Sequence, residues 1–247
     1  MESRPVTDGG LAEELATEAG KLLLGLQQSG QLKGKALGAE GDRIANIYLC
    51  EALRRERPGD AVLSEEEKDC GSRCAASRVW IIDPLDGTRE YGEGRDDWAV
   101  HVALAVNGNA TVGAVALPAF TATLSSANPT ILQPTNLPLR MMVSRTRPAA
   151  EAIAVAEALG AELVPMGSAG AKAMAVVRGD ADIYLHTGGQ YEWDNCAPVA
   201  VAQAAGLHCS RVDGSPMRYN NPDPYLPDLL ICHPQYAARI LELVAAL

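Results

Sequence analysis

Residues 83–88 read Asp-Pro-Leu-Asp-Gly-Thr and follow directly on the apolar run Val79-Trp80-Ile81-Ile82. This spacing puts two carboxylates three residues apart on a tight turn, at the end of what reads as a buried strand. Pro84 fixes one backbone angle and Gly87 frees another, so the turn can aim Asp83 and Asp86 at one point. Two anions aimed at one point repel, and a cation between them removes the conflict. An all-oxygen site of this kind suits a hard ion such as Mg2+. The plainer reading is a strand followed by a helix with Asp86 as its N-cap. On these six residues alone both readings stay open.

Further acidic residues lie in Leu63-Ser64-Glu65-Glu66-Glu67, in Glu40-Gly41-Asp42, and in Glu192-Trp193-Asp194 just before the alanine-rich stretch 197–205. With these segments in this order, and above all with the blocks VWIIDPLDGTREY and YEWDNCAPVAVAQAAG, the chain resembles the inositol monophosphatase superfamily of metal-dependent, lithium-sensitive phosphomonoesterases. The resemblance runs from about Ala16 to Cys232. Within that superfamily, Gly167-Ser168-Ala169-Gly170-Ala171-Lys172 and Asp213-Gly214-Ser215-Pro216-Met217-Arg218-Tyr219 look most like the CysQ branch, in its actinobacterial form. Members of that branch remove the 3′-phosphate from 3′-phosphoadenosine 5′-phosphate (PAP).

The resemblance implies a layered αβαβα sandwich and a chemistry. A phosphate monoester is an anion, water attacks it very slowly, and a pair of divalent ions answers both difficulties. The matching positions imply that Glu65, Asp83 and the Leu85 carbonyl hold one Mg2+. Asp83 would bridge to a second, held also by Asp86 and Asp194, with a third, weaker ion near Glu65. Asp42 and Thr88 would orient or deprotonate the attacking water. Gly87 and Thr88, beside Asp86, would give backbone N–H groups to the phosphate at a helix start. Li+ inhibition and a homodimer are further implications. Each residue also has a plainer reading. Asp42 and Asp194 could cap the helices that follow them, and Glu65–Glu67 could be a solvated loop. Between Glu65 and Glu66 the resemblance favours Glu65.

Inositol phosphates, fructose 1,6-bisphosphate and nucleotide bisphosphates all suit such a centre. PAP carries a second phosphate and a base, so its enzyme needs extra cations and flat surfaces. Ser168 and Lys172 are the candidates to meet a distal group. Arg89, Arg145, Arg147 and Arg218 are candidates for phosphate contact. Tyr191, Trp193, Tyr219 and Tyr225 could border the base. Many inositol enzymes place a glutamate near the position of Thr187, a departure that weakens the inositol reading. A non-catalytic phosphate-sensing module is the alternative from another class. The presence of both Asp42 and Thr88 argues against it.

These side chains need a frame. Leu11, Leu15, Ala19, Leu22 and Leu26 mark one helical face ended by Gly30. A second helix is expected from Asp42 to about Arg55, with Ile44, Tyr48 and Leu53 inward and Pro58-Gly59 as its stop. Val79–Asp83 reads as a strand, Ala99–Val106 and Ala110–Leu117 as a hairpin about Asn107-Gly108-Asn109, and Thr121–Ser125 as a third strand. Residues 127–139 read as a connection between an N-terminal lobe, 1–126, and a C-terminal lobe, 127–247. Beyond it, strands Arg140–Ser144, Glu162–Met166, Ala181–His186 and Leu229–Cys232 alternate with helices Ala149–Leu159, Ala169–Val177, Asp194–Ala205 and Gln235–Leu247.

A chain of 247 residues is near the upper limit for one continuous core. Its single Phe leaves Ala, Val, Leu and Ile to fill the interior. A formal net charge of −10 argues against nucleic-acid polymers and anionic membranes as partners. It does not argue against a small anionic phosphate substrate, because bound divalent ions make a carboxylate cluster locally positive. No stretch approaches a membrane span and Met1–Pro5 lacks a signal core, so a soluble cytoplasmic protein is expected. The cysteines form no zinc pattern, and Cys70 and Cys74 read as free thiols. The histidines, including His101 within an apolar run, read as core or surface residues.

Overall fold

The computed structural model describes residues 6–135 and 137–247. The first layer is two long helices, α1 (Asp8–Ser29) and α2 (Gly34–Glu56). Beneath it lies a five-stranded sheet of β1 (Ala61–Ser64), β2 (Arg78–Asp86), β3 (Ala99–Val106), β4 (Asn109–Leu117) and β5 (Ala122–Ser125), in that spatial order. A short helix, α3 (Thr88–Gly92), leaves the end of β2. The 127–139 connection leads to β6 (Arg140–Ser144), α4 (Ala150–Leu159), β7 (Glu162–Met166), α5 (Ala169–Arg178) and β8 (Ile183–His186). There follow β9 (Gln190–Tyr191), α6 (Glu192–Ala204), β10 (His208–Ser210), β11 (Tyr225–Leu226), β12 (Leu229–Cys232) and α7 (Pro234–Ala245). The second sheet runs β10-β12-β8-β6-β7, and β9 pairs with β11 as a small ribbon.

Strand alternation makes the layers. In β2 and β3, Trp80, Ile82, Val100, Val102 and Leu104 point to α1 and α2 and form one buried cluster with Leu15, Leu23, Leu49 and Leu53. Their neighbours Val79, Ile81, Ala99 and Ala103 point the other way, into a second cluster with α5, α6 and the inner face of the second sheet. A third cluster joins the outer face of that sheet to α4 and α7 through Met141, Ile183, Val155 and Ile240. Three cores between five layers give the αβαβα sandwich. At roughly 25 cal/mol per Å² of buried apolar area, these clusters supply the main drive to fold.

Helix α2 begins at Gly34, eight residues before the start expected from the sequence. Glycines lower helix propensity and masked the first two turns. Gly38 is there for packing: a Cβ on it would lie 2.7 Å from the Thr88 methyl. Asp42 therefore sits inside the helix rather than capping it. The brief strands β1, β9, β10 and β11 also escaped the sequence reading.

Candidate active site

Two carboxylates three residues apart on a straight strand face opposite sides of the sheet. Here they do not. Asp83 pairs with His101 and Asp86 with Ala99, so three steps along β2 match two along β3. The extra residue is a β-bulge, and it returns both carboxylates to the face that meets α5 and α6. Pro84 stands in the bulge, where its missing N–H costs no ladder bond. The Leu85 N–H donates to Asp83 Oδ1 at 3.0 Å and tightens the turn. Gly87, not Asp86, is the N-cap of α3, in a left-handed conformation at φ 90° that favours glycine. The capping alternative for Asp86 is thereby replaced by another duty.

That duty is fixed by α5. Asp86 Oδ2 accepts the Ser168 hydroxyl and the Gly170 N–H (2.6 Å), while the Ala169 N–H reaches Oδ1 at 3.2 Å. His101 Nε2 lies 3.2 Å from the same Oδ2, off the line of a good hydrogen bond, and against the effect of burial the carboxylate raises the pKa of the ring. Its other nitrogen, Nδ1, is 2.9 Å from the Trp193 carbonyl. A carbonyl only accepts, so Nδ1 carries a proton. His101 thus ties the strand end bearing Asp86 to the residue before Asp194. The sequence left it as a core or surface residue and did not indicate this bridge. The signal was available: an ionisable ring on an otherwise apolar, fully covered strand needs a polar partner.

Asp194 is the third residue of α6 and accepts the Tyr191 N–H at 2.6 Å. Capping leaves its other oxygen to the cluster. Oxygens of Asp83, Asp86 and Asp194 lie within 4.8 Å of one another. Burial works against the Asp86 charge, but His101, Ser168 and the Gly170 N–H outweigh it and hold the carboxyl at about 2. Burial, then the charges of Glu65, Asp86 and Asp194, push Asp83 well above the usual carboxylate range. Asp194 is pushed up to about 6 by burial and by Asp86. Glu65 follows the end of β1 and is open to solvent, yet crowding by the protein and the Asp194 charge raise it to about 7. The Glu66 charge acts on both Asp42 and Glu65.

Asp86 is held ionised by its donors, while burial and neighbouring charge push Asp83, Asp194 and Glu65 toward their neutral forms, so a multivalent cation among them would favour the fully ionised set. Hard oxygen donors fit Mg2+. Asp42 reaches the site from α2, with Thr88 Oγ1 3.3 Å from its Oδ1 and 3.1 Å from the Leu85 carbonyl. Burial and Glu66 push Asp42 up to about 7.

A cleft of about 330 Å³ opens from Asp86, Gly87 and Asp194. Arg89, Arg145, Arg147 and Lys172 all line it. The Ser168 hydroxyl is consumed: it donates to Asp86 and accepts the Ala171 N–H as N-cap of α5. Lys172 is buried, with its ammonium on the carbonyls of Gly167 and Ser168 (2.8 Å to the latter) and 5.4 Å from the Tyr184 ring centre. It clamps the turn that holds Asp86 more than it reaches for a distal group. Arg218 is not brought to the cleft. It bonds Asn109, at the end of the β3–β4 hairpin remote from Asp86, about seven strand residues or ~23 Å away. Tyr191 and Trp193 stack at 4.8 Å with Tyr225 edge-on, while Tyr219 is buried against Asn195; none of the four lines the cleft. Thr187 donates to Glu151.

Residues 9–246 match the sequence profile of the inositol monophosphatase family, and the chain belongs to that family. It is 51% identical, over 97% of its length and 94% of the other, to a 3′-phosphoadenosine 5′-phosphate phosphatase of Mycobacterium leprae. A protein of the same name from Mycobacterium tuberculosis is 51% identical over 92% of this chain and 90% of its own. The crystal structure of CysQ from Bacteroides thetaiotaomicron superposes with a TM-score of 0.81 at 23% identity, covering 92% of this chain and 97% of that one, which shows the shared fold.

Proposed function

We propose that this protein is a Mg2+-dependent 3′(2′),5′-bisphosphate nucleotidase that hydrolyses PAP to AMP, and its sulfated relative PAPS to adenosine phosphosulfate, clearing a by-product of sulfate assimilation. The carrying observation is the convergence of Asp83, Asp86 and Asp194, the last two of which line a cleft together with basic side chains. The 51% identity to mycobacterial PAP phosphatases, over more than nine-tenths of this chain, supports the choice of substrate.

Glu65, Asp83, Asp86, Asp194 and the Leu85 carbonyl would hold the ions. Bound Mg2+ supplies Lewis acidity toward the phosphoryl oxygens, the attacking water and the leaving alkoxide. The protein's own part is proton handling and orientation. When Asp42 is ionised, Thr88 donates its proton to Asp42 and turns a lone pair outward, where it can accept from water. A proton then passes from water to Thr88 as the Thr88 proton passes to Asp42. The same turn of the hydroxyl frees the Leu85 carbonyl. The Gly87 and Thr88 N–H groups orient the phosphoryl oxygens. The water oxygen bonds to phosphorus as the P–O bond to ribose breaks, and the leaving oxygen takes a proton from solvent. Li+ would inhibit by competing for an ion position.

The test compares phosphate release from PAP, inositol 1-phosphate and fructose 1,6-bisphosphate at equal low concentration, with and without chelator. PAP is expected to be hydrolysed fastest and only with Mg2+. PAP as the poorest of the three would overturn the assignment.

A further inference from the structure

The cleft bears four cationic side chains, and three of them are already engaged. Arg145 bonds Glu90 at 2.6 Å and Glu93 at 2.7 Å. Arg89 bonds Glu90 at 3.1 Å. Lys172 is spent on backbone carbonyls. Arg147 has no carboxylate within ion-pair distance among the described residues, although acidic residues outnumber basic ones by 31 to 21 in the chain. Its backbone is held: the Arg147 N–H donates to Ser144 Oγ at 3.3 Å, in the turn that follows β6. His186 lines the same cleft, with its Nε2 3.1 Å from the Gly189 carbonyl. Burial lowers the His186 pKa, and the charges of Lys172 and Arg147 lower it further.

The cleft thus joins carboxylates fit for cations, Asp86 and Asp194, with one unpaired guanidinium, Arg147, in a space large enough for a nucleotide-sized ligand. We propose that Arg147 is the specificity residue that takes the second, non-reacting phosphate of a bisphosphorylated substrate. A guanidinium fork matches two phosphoryl oxygens, and an unpaired one need not break an internal ion pair to bind them. This rests on the phosphatase reading of the carboxylate centre and adds what selects the substrate there. The plainer account is that Arg147 is one more exposed charge, and it makes a different prediction.

The experiment measures kcat/KM for PAP and for 3′-AMP, which lacks only the 5′-phosphate, in the wild type, Arg147→Ala and Arg147→Lys. Inositol 1-phosphate is run alongside. The wild type is expected to prefer PAP to 3′-AMP. Arg147→Ala is expected to lose about 10- to 100-fold on PAP while 3′-AMP changes less than about 2-fold. Arg147→Lys should recover part of the loss, as a point charge without the fork. An unchanged PAP to 3′-AMP ratio in Arg147→Ala, or equal losses on both, would overturn the inference. A wild type that hydrolyses inositol 1-phosphate better than PAP would instead overturn the nucleotide assignment, which is a separate outcome.

Discussion

Asp194→Asn is the most exacting perturbation of this site, because it should stabilise the metal-free protein while disabling the metal-bound one. The Asp194 carboxyl ordinarily titrates near 3.8 and is pushed up to about 6 by burial and by Asp86. The folded state thus holds the proton more tightly than the unfolded chain. Stability falls as pH rises from about 4 to about 6, and the full penalty stands above that. Two pKa units correspond to about 3 kcal/mol. Asparagine carries no charge, and its amide oxygen can still accept the Tyr191 N–H now at 2.6 Å. Allowing for partial solvent access, the variant should be about 1–3 kcal/mol more stable in chelator at pH 8. That is a rise of about 2–10 °C in Tm for a protein of this size. The difference should vanish at pH 4. Added Mg2+ at 100 times its Kd should raise wild-type stability by about 2.7 kcal/mol and the variant far less. Thermal melts in chelator and in Mg2+ at the two pH values give all four numbers. A variant less stable than wild type in chelator at pH 8, or an equal Mg2+ gain in both proteins, would refute the argument.

Asp42→Asn should lower kcat by about 10²–10⁴-fold with Mg2+ affinity nearly unchanged, and should remove from the pH–rate profile the rise expected near pH 7, where Asp42 ionises; loss of Mg2+ affinity instead would make Asp42 a ligand. Ser168→Ala removes the N-cap of α5 and a donor to Asp86. It should cost about 1–3 kcal/mol by denaturant unfolding and raise the Mg2+ needed for half-maximal activity several-fold. A raised KM for PAP with unchanged Mg2+ dependence would mean that Ser168 serves the substrate.

The layers were legible because β2, β3 and β4 carry unbroken apolar runs and α1 repeats leucine at helical spacing. The carboxylates stood out because buried strand ends seldom carry two acids. What could not be read was where oxygens and cations spend their bonds. Nothing in DPLDG announces a bulge, since a bulge is defined by the partner strand. Ser168 and Lys172 have the composition of ligand contacts, yet the first is absorbed by Asp86 and the second by two carbonyls. Arg218 is close in sequence to other site-like residues, but the path of the 211–226 segment carries it to the far end of the hairpin. Arg147 was one arginine among four until the ion pairs of its neighbours set it apart.

The cluster draws Asp83 and Asp86 from one sheet and Asp194 from a helix that comes much later in the chain. A nascent polypeptide on the ribosome completes the first sheet long before it makes α6. During that interval the sheet face later covered by α5 and α6 is bare, with two acids and His101 at one end and Val79, Ile81, Ala99 and Ala103 along the rest. The full ion site does not exist until both halves have docked. Any ion that needs all three carboxylates could bind only after α6 has docked, and a truncated product ending before α6 would carry an apolar surface with the site incomplete.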